Sequence, residues 1–589
     1  MGIPGFFAFI KKHKGIIKAS IVSPESPELK QHLFLDFNGA IYTVLKDNAS
    51  SIKTQESLII NVLGYLDTLA RVYPNLALLY IAIDGVPPRA KIEQQRARRF
   101  NNTKESELVA NLHNPDNQTT ESFDTNMITP GTPFMYNLCA SIREHISTSP
   151  IYSAINVIFS GADDPLEGEH KILQYIRHHS QDYSPQEDQI IIYGLDADLI
   201  MLAISMHLPN IYLLREKTEY GQYAMVFEGH QYLHLDIDSL KECVVREFEH
   251  YIGDIQMTEI NLFLDDYIFL CFLLGNDFIA KVPWLNIKNG GHDILLSSFA
   301  RMYNMHYMHL FDGQIAKVNT KAFYYLIEIL QSMEDQQMGE LYQYRSRARP
   351  NMSKVSNEYE RQRQLITQMP LLHLEEEMSI GYNKPTWRNQ YYPVCFHHKR
   401  TTSNIENIVI QYLESLIWSA KYYYRELPSW SWFYPFHYAP SFRDIFQFLQ
   451  KMETTYTASL SGIGLDEEPW KFAYLRNNVN NVVFTKHRPI KPLELLLMVL
   501  PIKSSKYLPA EIQNLLVPEV SAIELKPYFP KKYKVCVAFH SYTWECKPII
   551  PVINYNNIRS VFSRINLSTS EKKRNVVGTE FKKLVEKNT

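Results

Sequence analysis

The sequence predicts an α/β fold in which a mostly parallel central sheet is flanked by helices, followed by a second, helical and aromatic-rich region. Short apolar runs at residues 33–35, 79–83, 155–159 and 190–193 are typical of buried strands. Amphipathic stretches such as residues 56–72 lie between them, which is the βαβ alternation of a parallel sheet. At 589 residues the chain exceeds one hydrophobic core, so about two to four domains are expected.

Acidic side chains follow successive predicted strands. An aspartate after a strand is commonly a helix N-cap. The carboxyl ends of parallel strands, however, meet at the edge of the sheet where ligands bind. The run at residues 269–274 is interpreted as a further strand that leads to the last acid of the set. The acids that share this position are Asp36, Asp84, Glu167, Glu169, Asp196, Asp198 and Asp277.

Such a cluster of carboxylates repels itself unless cations neutralise it. Histidine and cysteine are nearly absent from the set, so oxygen-preferring Mg²⁺ or Mn²⁺ is expected rather than zinc. Carboxylate-held metal pairs are a standard means of hydrolysing phosphodiesters. The spacing therefore predicts a metal-dependent phosphoryl-transfer site with two Mg²⁺ ions as its cofactor and Mn²⁺ as the alternative.

A basic helix is predicted shortly after Asp84. Lys91, Gln95, Arg98 and Arg99 share one face of it at helical spacing. A basic face is ordinarily solvated, but this one begins seven residues after a predicted metal ligand. We therefore interpret it as a clamp for substrate phosphates.

Composition restricts the classes of protein to consider. The formal net charge of −3 gives no global signal for nucleic acid, so any such site must be local. The six cysteines show no CxxC pair or metal-finger spacing, and no signal peptide is recognised, which indicates a reducing intracellular setting. No apolar run reaches the length of a membrane span. We expect a cytoplasmic protein with no membrane partner, and a nuclear location stays open.

Shifts in composition suggest domain boundaries. Residues 1–330 carry the strand and helix alternation, and residues 331–370 are charged enough to be a linker or insertion. Residues 371–565 form the aromatic, helical region, and residues 566–589 are expected to be a basic, solvated tail. Most rings of the run at residues 428–440 are expected to pack in a core, while one exposed tryptophan could stack on a nucleobase.

Several long motifs carry a family resemblance. They are Met1-Gly-Ile-Pro4, Leu35-Asp-Phe-Asn-Gly39, the run from Asp84 to Phe100, Ile128-Thr-Pro-Gly-Thr132, Glu167-Gly-Glu-His-Lys171, the run from Gly194 to Met201, Leu274-Gly-Asn-Asp-Phe278, the run from Ser429 to Pro440, Lys491-Pro-Leu-Glu494 and the run from Trp544 to Pro551. In these motifs and in their order the chain resembles the XRN family of 5′→3′ exoribonucleases over roughly its first 560 residues.

The resemblance implies a PIN-like core related to flap endonucleases, with the second region closing over the active site. It implies that the seven acids are the catalytic, metal-binding set. It further implies that Lys91, Gln95, Arg98 and Arg99 grip a 5′-monophosphate and that the N-terminal segment helps to exclude duplex. The expected activity is processive, metal-dependent 5′→3′ degradation of single-stranded RNA to mononucleotides, because each cleavage leaves a new 5′-phosphate.

The chain departs from the family pattern in two respects. Tyr42 stands where members of the family commonly place a histidine that stacks on the 5′-terminal base, and the second stacking residue is either Trp430 or Trp432. The chain also lacks the long extension of the cytoplasmic branch and the zinc knuckle of the nuclear branch. The resemblance therefore favours a compact, monomeric member closest to the cytoplasmic branch, with decapping factors as candidate partners.

Two other functions stay open. One is a structure-selective 5′ flap nuclease on DNA, which would share the core but lack the aromatic region. The other is a catalytically inactive RNA-binding scaffold for decay, against which the presence of all seven acids argues.

Overall fold

The computed structural model describes residues 2–21, 29–48, 51–112, 124–217, 225–352, 355–460, 482–516, 525–578 and 582–585. The strands of this part of the chain are β1 (Ile17–Lys18), β2 (Lys30–Asp36), β3 (Leu76–Ala82), β4 (Asn156–Ser160), β5 (Asp188–Tyr193), β6 (Ile211–Glu216), β7 (Met225–Phe227), β8 (His230–Asp236), β9 (Phe311–Asp312), β10 (Lys317–Val318), β11 (Val535–Cys536), β12 (Lys547–Pro548) and β13 (Lys582–Val585).

One large sheet organises these strands. Its order is β1-β8-β6-β5-β2-β3-β4-β13, with β7 beside β8. The five central strands, from β6 to β4, pair in parallel, whereas β1, β7, β8 and β13 pair antiparallel at the two sides. The predicted, mostly parallel sheet is therefore confirmed. The pairs β9–β10 and β11–β12 form two small antiparallel ribbons.

The order of the strands creates a crevice between β2 and β5. From β2 the chain adds β3 and then β4 on one side, and it returns to place β5 on the other side of β2. Such a reversal leaves a gap at the carboxyl ends of the two strands, where open α/β sheets bind their ligands.

Both faces of the sheet are covered. Phe34 and Ile192 point into one hydrophobic core, and Leu35 and Ile191 point into another. Successive side chains of a strand alternate between the faces, so strands that are buried on both sides read as continuous apolar runs. This is why the runs along the sequence identified the central strands.

The helices of the described residues are α1 (Phe6–Ile10), α2 (Phe37–Asp47), α3 (Gln55–Arg71), α4 (Arg89–Ala110), α5 (Pro133–Thr148), α6 (Gly168–His178), α7 (Asp198–Ile204), α8 (Ile237–Ile252), α9 (Ile260–Phe272), α10 (Gly291–His306), α11 (Thr320–Ser346), α12 (Glu358–Thr367), α13 (Glu375–Ser379), α14 (Arg388–Phe396), α15 (Thr402–Tyr424), α16 (Phe442–Leu460), α17 (Pro492–Val499), α18 (Ala510–Leu515), α19 (Tyr555–Phe562) and α20 (Thr569–Lys573). None of them combines the length and the apolar character needed to cross a bilayer.

The expected strand at residues 269–274 is wrong. Those residues belong to α9 and to the turn that follows it. A short, continuous apolar run fits a buried helix as well as a buried strand, because it carries no periodicity. Every residue of α9 from Phe263 to Phe272 is buried, so the helix has no polar face to reveal its period. Asp277 therefore approaches the crevice from a loop after a helix.

The boundary expected at residue 330 falls inside α11, so residues 331–346 are not a linker. Two of their charged side chains, Glu334 and Arg345, are buried in ion pairs: the Arg345 guanidinium donates to both carboxylate oxygens of Glu377 at 2.8 Å and 2.6 Å. The expected solvated tail also contains β13, which pairs antiparallel with β4 at the edge of the sheet. In both segments the charged residues suggested exposed chain, whereas the structure has a helix in one and a strand in the other.

The aromatic, helical region packs on the sheet domain as expected. Rings of α15 meet rings that follow or end α9: Trp418 lies 5.1 Å from Phe278, and Tyr423 lies 5.0 Å from Phe272, between ring centroids. The chain between residues 528 and 551 also holds α4, because Arg96 donates to the backbone carbonyls of Tyr528 and Pro551. The second region thus fixes the basic helix in place.

Candidate active site

The ends of strands and helices bring acids to the crevice. Asp36 is the last residue of β2, and Asp84 follows β3 by two residues. Glu167 immediately precedes α6, and Glu169 lies in its first turn. Asp198 is the first residue of α7, which follows β5. Carboxylates at helix N-termini are favoured because the helix dipole and free N–H groups attract negative charge.

Hydrogen bonds position Asp84. Asn38 Nδ2 donates to Asp84 Oδ2 at 2.9 Å, and the backbone N–H of Gly168 donates to Asp84 Oδ1 at 2.8 Å. A Cβ added to Gly168 would lie 2.5 Å from Asp36 Oδ1. The close approach of α6 to β2 therefore requires a glycine.

Lys91 links two further acids. Its Nζ lies 2.6 Å from Glu167 Oε1 and 2.9 Å from Asp277 Oδ2, and the side chain is buried. Lys91 was predicted to grip a phosphate, and the structure places its ammonium group among the carboxylates. Through Lys91, Asp277 of the loop after α9 is connected to Glu167 of the sheet domain.

Three neighbouring side chains offer a set of cation ligands. One ligand atom from each of Glu167, Glu169 and His170 lies within 4.8 Å of the others, and all three residues are buried. Glu169 Oε2 has no hydrogen-bond partner among the described residues. A buried carboxylate oxygen without a donor is costly unless a cation or a proton occupies it. The donor set is mostly oxygen, which fits a hard divalent cation.

Burial and mutual repulsion change the acidity of the cluster. Burial raises the pKa of Glu167 to about 7 and that of Asp198 to about 6. Burial also raises the pKa of Asp36 well above its usual range, and the charges of Asp84 and Asp196 add to this effect. Asp196 itself is exposed. Without cations, several of these acids therefore keep their protons close to neutral pH.

Asp277 behaves in the opposite way. Burial works to raise its pKa, but the adjacent Lys91 ammonium group outweighs burial and lowers the pKa to about 2. Asp277 therefore stays ionised, and its charge is balanced within the protein.

Tyrosines of α15 complete the acid cluster from the second region. The Tyr422 hydroxyl donates to Glu167 Oε2 at 3.2 Å, and its ring stacks on His170 at 3.6 Å between centroids. The hydroxyl of the next residue, Tyr423, is hydrogen-bonded to Asp198. Sequence analysis missed both residues. The available signal was the three consecutive tyrosines that end a long helix just before the aromatic run.

The N-terminal segment lies against the acids. A Cβ on Gly2 would collide with the carboxylate of Asp198, and Gly2 has a φ of 52°, in the left-handed region. Phe6 and Ile10 of α1 are buried and anchor the segment.

The remaining predicted phosphate ligands lie further along α4. Arg99 Nη1 is buried and has no hydrogen-bond partner among the described residues. Burial lowers the Arg99 pKa to about 10, so the guanidinium is charged at neutral pH. Tyr42 is close enough to interact with that charge, and its side chain is 41% exposed. Gln95 is half-buried, whereas Arg98 is exposed.

The two candidate tryptophans differ in their surroundings. Trp432 stacks on Trp418 at 5.4 Å between centroids, and its indole N–H donates to Glu414 at 3.2 Å. Trp430 is half-buried and makes no ring contact among the described residues. Its carbonyl accepts the N–H of Arg89 at 3.0 Å, which places it beside the start of the basic helix.

Comparison with known proteins decides the family. The model described as "XRN 5'-3' exonuclease N-terminus" matches residues 1–217, and that described as "Xrn1 helical domain" matches residues 257–379, 372–461 and 474–588. The chain belongs to the XRN family. Among curated relatives, the "5'-3' exoribonuclease 1" of Homo sapiens is 27% identical over 98% of this chain and 35% of its own length.

Other relatives of this XRN chain agree. The "5'-3' exoribonuclease 1" of Saccharomyces cerevisiae is 27% identical over 98% of this chain and 44% of its own length. The "5'-3' exoribonuclease 2" of Gallus gallus is 25% identical over 98% of this chain and 72% of its own length. The chain thus spans between about a third and a half of the first relatives named.

Proposed function

We propose that the protein is a metal-dependent 5′→3′ exoribonuclease that degrades single-stranded RNA with a 5′-monophosphate, processively, to mononucleotides. The observation that carries this proposal is the convergence of buried acids at the sheet crevice, within one body with a basic helix, in an XRN chain. Neither a DNA flap nuclease nor an inactive scaffold is favoured by the aromatic region and the intact acid set.

Two Mg²⁺ ions are the proposed cofactor, and the proposed ligands are drawn from the seven acids: Asp36, Asp84, Glu167, Glu169, Asp196, Asp198 and Asp277. The unpartnered oxygen of Glu169 and the raised pKa values of Glu167 and Asp198 support cation binding, because a cation relieves both. Bound divalent cations would activate water and stabilise the departing 3′-oxygen. Tyr422 fixes the orientation of Glu167 through its hydrogen bond.

The basic face of α4 is the proposed 5′-phosphate clamp. Arg99 offers a buried N–H without a partner among the described residues, which is suited to a phosphate oxygen. Gln95 and Arg98 would also bind the 5′-phosphate. Lys91 would lie at the end of the clamp nearest the scissile bond, because it contacts Glu167 and Asp277. Fixing the terminal phosphate places the next phosphodiester over the acids, so that binding sets the bond that is cut.

Tyr42 and Trp430 are the proposed stacking residues. Tyr42 projects from α2 beside Arg99 with a large exposed fraction, and Trp430 lies beside the start of α4. The packing of Trp432 on Trp418 supports a structural role for that ring. We further propose action as a monomer in the cytoplasm, with decapping factors as candidate suppliers of 5′-monophosphate ends.

The test is a time course on one single-stranded RNA that carries a 5′-monophosphate, a 5′-hydroxyl or a 5′-triphosphate, with Mg²⁺ and with chelator. We expect rapid release of mononucleotides from the monophosphate form alone and none with chelator. Equal cleavage of all three RNAs would contradict the proposal that α4 binds a 5′-monophosphate. Fast cleavage of flap DNA with none of RNA would replace the proposed substrate.

A further inference from the structure

A second cavity adjoins the acid cluster on the far side of Asp277. It has a volume of about 380 Å³ and lies between the N-terminal segment, α4, the loop after α9 and the chain at residues 540–547. Of the seven acids proposed to bind metal, only Asp277 lines this cavity. Its volume lies within the range of small-ligand pockets.

Cations without partners line this cavity. Arg98, Lys281 and Lys547 all line it, and none of their side chains has an ion pair or a hydrogen bond among the described residues. Burial lowers the pKa of both Lys281 and Lys547. Arg98 is exposed, but an ammonium group that burial desolvates and that has no ion-pair partner is unfavourable, so Lys281 and Lys547 together point to an anionic ligand.

The acids near the cavity are already occupied. Asp277 is paired with Lys91 at 2.9 Å. Glu545 accepts the backbone N–H groups of Ser541 and Tyr542 at 2.7 Å and 3.2 Å. Neither acid forms an ion pair with the cavity lysines in the described part of the chain, and the surplus charge of the cavity is positive.

Polar atoms without partners occur in the same wall. Asn276 Oδ1 accepts the backbone N–H groups of Phe278 and Ile279, each at 2.9 Å, which fixes the orientation of the amide. Asn276 Nδ2 is then a donor that is buried and has no partner among the described residues, and His540 Nδ1 is a buried ring nitrogen that likewise has no partner there. Both residues line the cavity.

Trp544 stands at the rim of the cavity. Its side chain is 49% exposed, and one side of the ring stacks on Tyr542 at 5.9 Å between centroids and an angle of 14°. A tryptophan braced on one face and open to solvent is suited to stacking on a nucleobase.

We propose that this cavity binds one nucleotide, with its phosphate held by Lys281 and Lys547 and its base stacked on Trp544. The proposal rests on the proposed function, because it places a nucleotide next to the reacting acids. Two sources supply this chemistry. One is the nucleotide of the RNA chain that lies downstream of the scissile bond, and the other is the released nucleoside 5′-monophosphate.

The test uses the full chain with Lys547→Gln and Trp544→Ala, and with Lys317→Gln as the control. Lys317 is an exposed lysine of β10 that does not line the cavity. KM is measured on 5′-monophosphate RNAs of increasing length, and inhibition by adenosine 5′-monophosphate is measured in parallel. Tryptophan fluorescence follows binding of the same mononucleotide without turnover, and melting temperatures verify folding.

Each cavity variant is expected to change either KM for long RNA or the affinity for adenosine 5′-monophosphate by about tenfold. This is the effect of losing a charged or stacking contact. A rise in KM on long RNA with none on the shortest substrate assigns the cavity to the downstream nucleotide. Weaker mononucleotide binding and inhibition with KM unchanged assigns it to the product. If both variants match Lys317→Gln in all three readouts, the proposal is overturned. If the unsubstituted protein shows no preference for a 5′-monophosphate end, the proposed function is contradicted instead. The two failures can be told apart, because fluorescence measures mononucleotide binding without turnover.

Discussion

The hydroxyl of Tyr422 donates to Glu167 Oε2 at 3.2 Å, and this contact joins the helical region to the acids of the sheet domain. Tyr422 is the antepenultimate residue of α15, and Glu167 precedes α6. The second region is therefore part of the candidate active site, because one of its side chains orients a carboxylate.

Removing that hydroxyl should impair turnover without unfolding the protein. We expect Tyr422→Phe to lower kcat about tenfold, because Glu167 Oε2 loses its hydrogen-bond donor and only Oε1 is still held, by Lys91. The ring and its stacking on His170 are retained. The measurement is single-turnover release of mononucleotide at saturating RNA.

Tyr412→Phe is the matched control, because the Tyr412 hydroxyl lies on the same helix, is buried and has no partner among the described residues. It should turn over at the normal rate. Equal losses in the two variants would show that Tyr422 acts only through the packing of α15.

Gly2→Ala should reduce activity through a collision. The added methyl group would meet the Asp198 carboxylate, and the left-handed φ of Gly2 adds strain. We expect at least about a tenfold loss of kcat/KM, which corresponds to roughly 1.4 kcal/mol of transition-state stabilisation. Steady-state kinetics on short RNA measures it.

Gly15→Ala separates the collision from the strain. Gly15 also has a left-handed φ, of 88°, but nothing lies within 4 Å of the added Cβ. Its kinetics should be normal, with at most a small loss of stability. Normal kinetics for Gly2→Ala would show that the N-terminal segment moves away from the acids.

The stability of the metal-free protein should depend on pH through Glu167. Its pKa is raised from 4.5 to about 7, so the folded state holds this proton more tightly than the unfolded state. Raising the pH through that interval therefore favours unfolding, by roughly 3 kcal/mol when complete. Chelated protein should melt at a lower temperature at pH 7.5 than at pH 5.5.

Glu167→Gln removes this titration, so its melting temperature should fall less over the same interval. Added Mg²⁺ should restore the stability of the unsubstituted protein at pH 7.5, because cations bind the ionised acids. Identical pH profiles for the two chelated proteins would contradict the raised pKa.

Arg99→Ala should erase the preference for a 5′-monophosphate. Its buried N–H has no other partner among the described residues, so about a hundredfold loss is expected on the monophosphate RNA and little on the 5′-hydroxyl RNA. Competition between the two RNAs measures the preference.

Arg96→Ala is the contrasting variant on the same helix. Arg96 donates to the carbonyls of Tyr528 and Pro551, so its loss should lower the melting temperature and leave the preference unchanged. Preserved preference in Arg99→Ala would take Arg99 out of the clamp.

Trp430→Ala should raise KM for RNA by about tenfold with little effect on stability, because a base–aromatic stack is lost. Trp432→Ala should chiefly lower the melting temperature, because its ring packs on Trp418. A KM effect confined to Trp432 would reverse the assignment.

Sequence patterns predicted the sheet because its central strands are apolar on both faces and end at acids. Asp36, Asp84 and Asp198 could be placed from the ends of single elements. The position of Asp277 was predicted, but its support was mistaken for a strand, since α9 is buried on all sides.

Contacts between distant segments could not be read from local patterns. Tyr422 reaches Glu167 across 255 positions, and Lys91 reaches Asp277 across 186. Residues 331–346 could not be assigned to α11 for the same reason, because Arg345 finds its buried partner Glu377 only in the folded chain. A charged residue can therefore be buried when the fold places a residue of opposite charge beside it, and the sequence does not show which residues meet in this way.

The most direct test of the account uses one single-stranded RNA with a 5′-terminal labelled phosphate, incubated with chelated protein and then with added Mg²⁺. We predict no cleavage before the addition. Afterwards, labelled mononucleotide should be the only labelled product at every time point, and Asp198→Ala should release none. Labelled fragments longer than one nucleotide, or cleavage in chelator, would contradict metal-dependent removal of nucleotides from the 5′ end.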